Sequence, residues 1–121
     1  MIREFKKEII SILEGLTCPV GFGTVPDESV YPHVILDLPS SVYQEGQDLF
    51  MLDVDVWDKG LSTKSVDEIA ELVRDKLNRV RICIPELHAA IYYQSMGNVG
   101  SEDPSLKRKV LTFQVQIRRK K

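Results

Sequence analysis

The chain has 121 residues, of which 43% are hydrophobic and 28% are charged, values close to those of an ordinary single globular domain. This composition excludes disordered and collagen-like chains, and no run approaches the ~20 apolar residues that a membrane-spanning helix needs. The formal net charge is −2, but residues 21–60 contain eight acids and one base, a net −7. Residues 104–121 contain seven bases and no acid, a net +7. We therefore expect one domain, residues 1–121, with an acidic middle and a basic end.

The first 25 residues predict a helix and a short strand. A 3.6-residue period of apolar side chains predicts an amphipathic helix over residues 2–16, and Pro19 prevents its continuation. Residues 20–25 predict a short strand that Gly21 and Gly23 weaken. The apolar positions of the helix are Ile2, Phe5, Ile9, Ile12, Leu13 and Leu16.

Two strands are predicted in the acidic middle, over residues 31–38 and 49–57, with a polar loop over residues 39–48 between them. In the second strand Phe50, Leu52, Val54 and Val56 alternate onto one face. The opposite face is mixed: it begins apolar, becomes acidic and ends on the single tryptophan. Its residues are Leu49, Met51, Asp53, Asp55 and Trp57.

A second helix is predicted over residues 65–77, with Ser65 and Glu68 as a capping box. Strands follow over residues 87–94 and 110–117, joined by a mobile loop over residues 96–105 that is rich in glycine, serine and acids. The expected fold class is α+β. Its antiparallel or mixed sheet has four to five strands and two helices packed on one face, in the order α-(β)-β-β-α-β-β.

The start of the chain lacks the apolar core of a secretory signal, so we expect a protein that is made and kept in the cytoplasm. The two cysteines, Cys18 and Cys83, are too few and too far apart for a disulfide scaffold. We expect both to be thiols, with Cys83 buried as a small hydrophobe among Ile82 and Ile84.

The residues that could carry chemistry do not form a motif. His33 and His88 stand in strands without the spacing of a zinc site. Asp53, Asp55 and Asp58 could hold Mg²⁺ or Ca²⁺, but no further ligand converges on them in the sequence, which favours an acidic stripe that faces solvent or a partner. No serine-nucleophile elbow or phosphate-binding loop is present. We expect no enzyme, no cofactor and no metal.

The basic end, which includes Lys107, Arg108 and Lys109 and then Arg118 and Arg119, could contact nucleic acid. The strand between these two groups lacks the exposed aromatic side chains that RNA-binding sheets use for stacking. A nucleic-acid-binding α+β module is therefore kept as an alternative, as is a small enzyme that uses Asp53, Asp55 and His33.

Two stretches resemble a known family. Residues 31–36, Tyr-Pro-His-Val-Ile-Leu, resemble a strand opening of the type YP-x-V. Residues 52–58, followed by the helix over residues 65–77, resemble a core in which a strand ends in Val-Trp before a turn and a helix. Together they are similar to the tail-terminator, or tail-completion, proteins of long-tailed bacteriophages and prophages, which include tail-to-head joining proteins. The motifs are short, so another head-tail connector protein is kept as an alternative.

This resemblance implies a structural protein of the virion, assembled in the host cytoplasm, with no catalytic residues. It implies a ring, commonly a hexamer, that caps the tail tube and meets head-completion proteins at the head-proximal end of the tail. Double-stranded DNA would pass through the channel without sequence-specific contact, and no membrane would be involved. The segments 39–48 and 96–105 match positions of variable loops in that family and are contact candidates.

Rings are built from heterologous contacts, in which one surface of a subunit meets a different surface of the next subunit. A chain with a −7 and a +7 segment suits such contacts, because opposite charges of neighbouring subunits can meet. On this hypothesis assembly is sensitive to salt. The alternative is that the two segments are neighbouring strands and neutralise each other within one subunit. The residues predicted for the subunit or partner interface are Met51, Asp53, Asp55, Trp57, Lys107, Arg108, Lys109, Arg118 and Arg119.

Overall fold

The computed structural model describes residues 2–16, 18–25, 30–44, 47–60, 62–100 and 103–119. Within these ranges the chain forms two α-helices, a short 3₁₀ helix and six strands, in an order that begins α-β-β-β-α and ends in three strands. The elements are α1 (Ile2–Ile12), a short 3₁₀ helix (Leu13–Gly15), β1 (Val20–Phe22), β2 (His33–Gln44), β3 (Gln47–Lys59), α2 (Lys64–Leu77), β4 (Arg81–Ile84), β5 (Leu87–Val99) and β6 (Leu106–Arg119).

The strands form one mixed sheet in the order β1-β2-β3-β6-β5-β4. Every neighbouring pair is antiparallel except β1 and β2, which are parallel over Val20–Phe22. The α+β class is confirmed, whereas the predicted count of four to five strands is wrong. The additional strand is β4, which is four residues long and lies between the second helix and the strand predicted over residues 87–94.

The predicted loops over residues 39–48 and 96–105 are largely strand. β2 continues to Gln44 and β3 begins at Gln47, while β5 continues to Val99 and β6 begins at Leu106. Each extension follows a register shift, one between Asp37 and Ser40 and one between Tyr93 and Ser95. An inserted residue changes the face on which each later side chain lies, so simple alternation cannot be followed across it.

The second helix begins one residue before its predicted start, and the predicted capping box at Ser65 is wrong. Thr63 is the N-cap residue: its backbone oxygen accepts from the Asp67 amide at 2.9 Å. The Thr63 hydroxyl also donates to Asp67 Oδ2 at 3.4 Å. Because Ser65 already lies inside the helix, its hydroxyl is not in the capping position.

The core lies between the two helices and one face of the sheet. Helix α1 contributes Phe5 and Ile9, and helix α2 contributes Val73 and Leu77, all fully buried. The alternating apolar residues of β3 and β6 meet in register, with Leu52 opposite Phe113. The remaining fully buried strand residues of this cluster are Val34, Leu36, Val54, Val56, Leu87, Ile91, Leu111, Val115 and Ile117.

The expectation that Cys83 is buried is wrong, since Cys83 is exposed. On β4 the neighbouring Ile82 occupies the core face and is 4% exposed. A strand places successive side chains on opposite faces, so Cys83 lies on the face that the helices do not cover. The other thiol, Cys18, is half-buried, and burial raises its pKa.

Leu77→Ala is expected to lower the free energy of unfolding by about 2–5 kcal/mol, because it removes a fully buried side chain and leaves a cavity. Leu72→Ala makes the same chemical change on the same helix at a side chain that is 49% exposed, and it should change stability by less than about 0.5 kcal/mol. Urea denaturation of both variants measures the difference. Equal losses in the two variants would contradict this packing.

Candidate interaction surface

The sheet face opposite the helices has no layer packed on it within the described ranges, and we call it the open face. Register places Asp53 beside Thr112, Asp55 beside Val110 and Trp57 beside Arg108 on this face. Of the nine predicted interface residues, six lie here and three lie on the helix side of β6. The open-face group is Met51, Asp53, Asp55, Trp57, Arg108 and Arg118, and the helix-side group is Lys107, Lys109 and Arg119.

An ion pair joins the two central strands on the open face. Arg108 Nη2 donates to Asp55 Oδ2 at 2.8 Å, and the two side chains are 31% and 23% exposed. The same guanidinium lies 4.9 Å from the centre of the Trp57 ring, within the range of a cation–π contact. Because Arg108 binds both a carboxylate and an aromatic face, it fixes the orientation of Trp57 on the sheet.

The helix-side bases also bind acids of the same chain. Lys109 Nζ donates to Asp67 Oδ1 at 2.8 Å and ties β6 to α2. Arg119 Nε donates to Asp48 Oδ2 at 3.0 Å and ties β6 to β3. The charged segments could pair between subunits or within one subunit. These ion pairs form within one subunit. Such pairs between exposed side chains contribute only about 0–1 kcal/mol each, so they chiefly favour the register of β6.

A row of aromatic rings lies where β2 begins and β3 ends, and it was not predicted from the sequence. The Tyr31 and His33 ring centres are 4.9 Å apart, and those of His33 and Trp57 are 6.4 Å apart. His33 is 3% exposed, and its Nδ1 lies 2.9 Å from the carbonyl oxygen of Val30. Its role in the structure is to pack in this row. His33 lies opposite Trp57, whereas Asp53 lies four residues away on β3, opposite Asp37, so the structure does not bring His33 and Asp53 together.

Trp57 and Arg108, together with Asp55, form a side-chain cluster on the open face. Two N–H groups of this cluster, Trp57 Nε1 and Arg108 Nε, are buried with no hydrogen-bond acceptor among the described residues. A buried donor without an acceptor is unfavourable by about 1–3 kcal/mol. An acceptor from a partner, or a small local rearrangement on binding, would satisfy these donors. The cluster is therefore a place where contact with another molecule can stabilise the chain.

The open face is acidic at one side and basic at the other. Asp37 and Asp53 are opposite each other on β2 and β3, an arrangement of like charges that is unfavourable across a strand pair. Burial raises the pKa of Asp53, and the neighbouring Asp55 and Asp37 raise it further, while the Thr112 hydroxyl and Arg108 lower it. On the other side of the face, Arg81, His88, Tyr92 and Arg118 line a shallow groove of about 270 Å³.

The fold, but not the sequence, matches a known protein. No family model and no curated protein matches the chain. A chain of the solved structure described as "Virion of native gene transfer agent (GTA) particle" superimposes with a TM-score of 0.66 over 91% of this chain and 84% of that chain. The two sequences are 11% identical, so the match concerns the fold alone.

The metal hypothesis finds no support in the side chains that the structure describes. No group of three or more histidine, cysteine, aspartate or glutamate side chains among them could hold a metal ion. Asp55 forms an ion pair with Arg108, and Asp58 accepts a hydrogen bond from the backbone amide of Lys59 at 2.8 Å. Within the same ranges, neither helix is long and apolar enough to cross a lipid bilayer.

Asp53→Asn is expected to make the chain at least as stable as the wild type at pH 7 and to remove part of the pH dependence of its stability. The folded-state pKa of Asp53 lies above the model-compound value of 3.8, so the folded state binds the proton more tightly than the unfolded chain. The stability that this proton provides is present below pH 3.8 and is lost as the pH rises through the higher folded-state pKa.

Denaturation of Asp53→Asn and wild type at about pH 3 and pH 7 measures the effect. Asp75→Asn makes the same chemical change at an exposed helix position and is the control for the substitution itself. A wild type that gains stability relative to Asp53→Asn as the pH rises would contradict the raised pKa.

Proposed function

We propose that the chain is a tail-terminator, or tail-completion, protein of a phage, a prophage or a related particle. In this role it forms a ring, commonly a hexamer, that stops elongation of the tail tube. It joins the tail to the head-completion proteins, and double-stranded DNA passes through its channel. The observation that carries the proposal is the agreement of fold with a virion component over nearly the whole of both chains. The resemblance of residues 31–36, and of residues 52–58 with the helix over residues 65–77, to the tail-terminator family supports this particular component.

The open face supports this role because it suits contact with other proteins. Trp57 and Met51 are half-buried there in the single chain, so they can bury further apolar area in an assembly. Asp37 and Asp53 lie on one side, and Arg81 and Arg118 lie on the other. A face with two charge signs favours a particular orientation of its partner and disfavours others.

The nucleic-acid-binding alternative requires basic side chains that are available to phosphates. Four bases of the basic end have acceptors within the chain: Arg108 binds Asp55, Lys109 binds Asp67, Arg119 binds Asp48, and Lys107 Nζ donates to the Pro104 carbonyl oxygen at 2.6 Å. These contacts reduce the number of counterions that DNA binding would release. They favour a structural role over a DNA-binding one.

Disruption of the coding region in its source is expected to give tail tubes of excess and variable length and heads without attached tails, because nothing would cap the tube or join it to the head. Electron microscopy of the lysate measures tube length and attachment. The control is the same strain complemented with the wild-type chain, which should restore tails of one length joined to heads. Normal particles without the chain would contradict the proposal.

A further inference from the structure

The two outer strands of the sheet are too short to cover their neighbours. β1 has three residues and pairs with β2 only as far as Leu36, so the outer side of Leu38–Gln44 has no described strand beside it. β4 has four residues and pairs with β5 only over Leu87–Ala90. Among the residues that the structure describes, the sheet thus presents a free edge on each side, and unpaired edges of this kind are templates for strand addition.

Along β5, the backbone amides that face outward, away from β6, donate to a different acceptor at each position. The Ile91 amide donates outward to the Val80 oxygen at 2.9 Å, and the Tyr93 amide donates to Asn78 Oδ1 at 3.0 Å. Beyond the register shift at Gln94, no such partner follows among the described residues. The free β5 edge, residues 94–99, reads Gln-Ser-Met-Gly-Asn-Val and contains neither a charge nor a proline. It therefore lacks the two side-chain types that most often prevent edge pairing.

The register identifies which amides of the free β5 edge face outward. Ser95 is opposite Thr112 of β6, two positions from the pair between Tyr92 and Gln114. Since the Tyr93 amide faces outward, the Tyr92 amide faces β6, where it pairs with Gln114. Thr112 is two residues from Gln114 and therefore faces β5 as Gln114 does, so its partner Ser95 also faces β6. The amides of Met96 and Asn98 then face away from the sheet.

The same reasoning applies to β2. The Val34 amide donates to the Pro19 oxygen at 2.9 Å, so Val34 bonds outward, toward β1, and Asp37 bonds toward β3. After the register shift, Ser40 is opposite Met51, which bonds in the same direction as Asp53. The free β2 edge is therefore residues 40–44, which begin after Pro39 and the register shift, and its outward groups are those of Ser41 and Tyr43.

We propose that the free β5 edge of one subunit pairs with the free β2 edge of a second copy of this chain, in an antiparallel ladder that is repeated around a ring. This proposal rests on the ring assembly proposed above and names its subunit contact. The two edges have similar lengths and belong to strands that run antiparallel to each other within one sheet. An added copy in the same orientation therefore brings them together antiparallel, and a contact between unlike edges can repeat until the ring closes.

The relative height of the two edges fits a closed barrel. Met96 is opposite Leu111 of β6, which is opposite Val54 of β3, whereas Ser41 is opposite Phe50 of β3. The two edge positions are therefore offset by four residues along the strands. Four residues correspond to ~13 Å along a strand, and the four strands from β2 to β5 span ~19 Å at ~4.8 Å each. Pairing these positions around a ring requires the strands to tilt by about 35°, at the lower end of the ~35–45° found in closed barrels.

Asn98→Pro and Ser41→Pro each remove one outward amide without removing a hydrogen bond inside the sheet. The matched controls are Asn98→Ala and Ser41→Ala, which keep the amide. Sedimentation velocity over a range of concentrations should show association of the wild type and both alanine variants, and monomers for each proline variant alone. An equimolar mixture of the two proline variants should form dimers and nothing larger, because only one intact pair of edges remains.

Each other result overturns the proposal. Loss of assembly in Asn98→Pro with none in Ser41→Pro would indicate pairing between two β5 edges. Assembly of both proline variants would exclude edge pairing, and a wild type that stays monomeric at every concentration would exclude this contact; neither result would bear on tail length in the disruption experiment. If circular dichroism shows that a proline variant is unfolded, Asn98→Lys and Ser41→Lys replace the pair, and at least a tenfold weaker association is expected from each, since edge charges oppose strand addition.

Discussion

The pairing of β3 with β6 is the constraint on which the rest of the structure depends. It runs from Asp48 opposite Ile117 to Lys59 opposite Leu106, without a register shift. The two strands are far apart in the sequence, so the entropy lost in closing this contact must be offset by burial of apolar side chains such as Leu52 and Phe113. Once the pair is formed, β2 and β5 have a strand to add to on each side, and α2 has a surface to cover.

This pairing also determines what the charged segments do. The acidic middle and the basic end become neighbouring strands, so Asp55 meets Arg108 and Asp48 meets Arg119 within one chain. Charges that are already paired contribute little to attraction between subunits. The assembly proposed above must therefore depend on other features: Trp57 and the two charge signs of the open face, and the backbone of β2 and β5 beyond their short neighbours.

The sequence was sufficient to predict those elements whose apolar residues follow one period without interruption. The alternation of Leu52, Val54 and Val56 identified β3, and the helical spacing of Phe5, Ile9 and Leu13 identified α1. It failed where the pattern depends on tertiary contacts. The ends of β2 and β5 lie beyond register shifts and carry polar residues, because a free edge and an open face need no apolar side chains.

The candidate surface was predicted in part for the same reason. The acids and Trp57 of β3 and the bases of β6 were recognisable by alternation, but which base would bind which acid depends on a register that no local pattern specifies. The aromatic row also depends on register, since Tyr31 and His33 approach Trp57 only through the pairing of β2 with β3. Cys83 was misplaced because Ile82, Cys83 and Ile84 are apolar in a run, and a run does not reveal which residue faces the core.

The proposal that the chain assembles through two half-covered sheet edges is tested most directly by hydrogen exchange of individual backbone amides. Nuclear magnetic resonance can follow exchange at Ser41, Tyr43, Met96 and Asn98 in the monomer and in the associated protein. We expect these four amides to exchange rapidly in the monomer and to become protected together on association. The Val34 amide, already bonded to Pro19, should be protected in both states. Assembled protein in which the four amides still exchange as in the monomer would contradict the account.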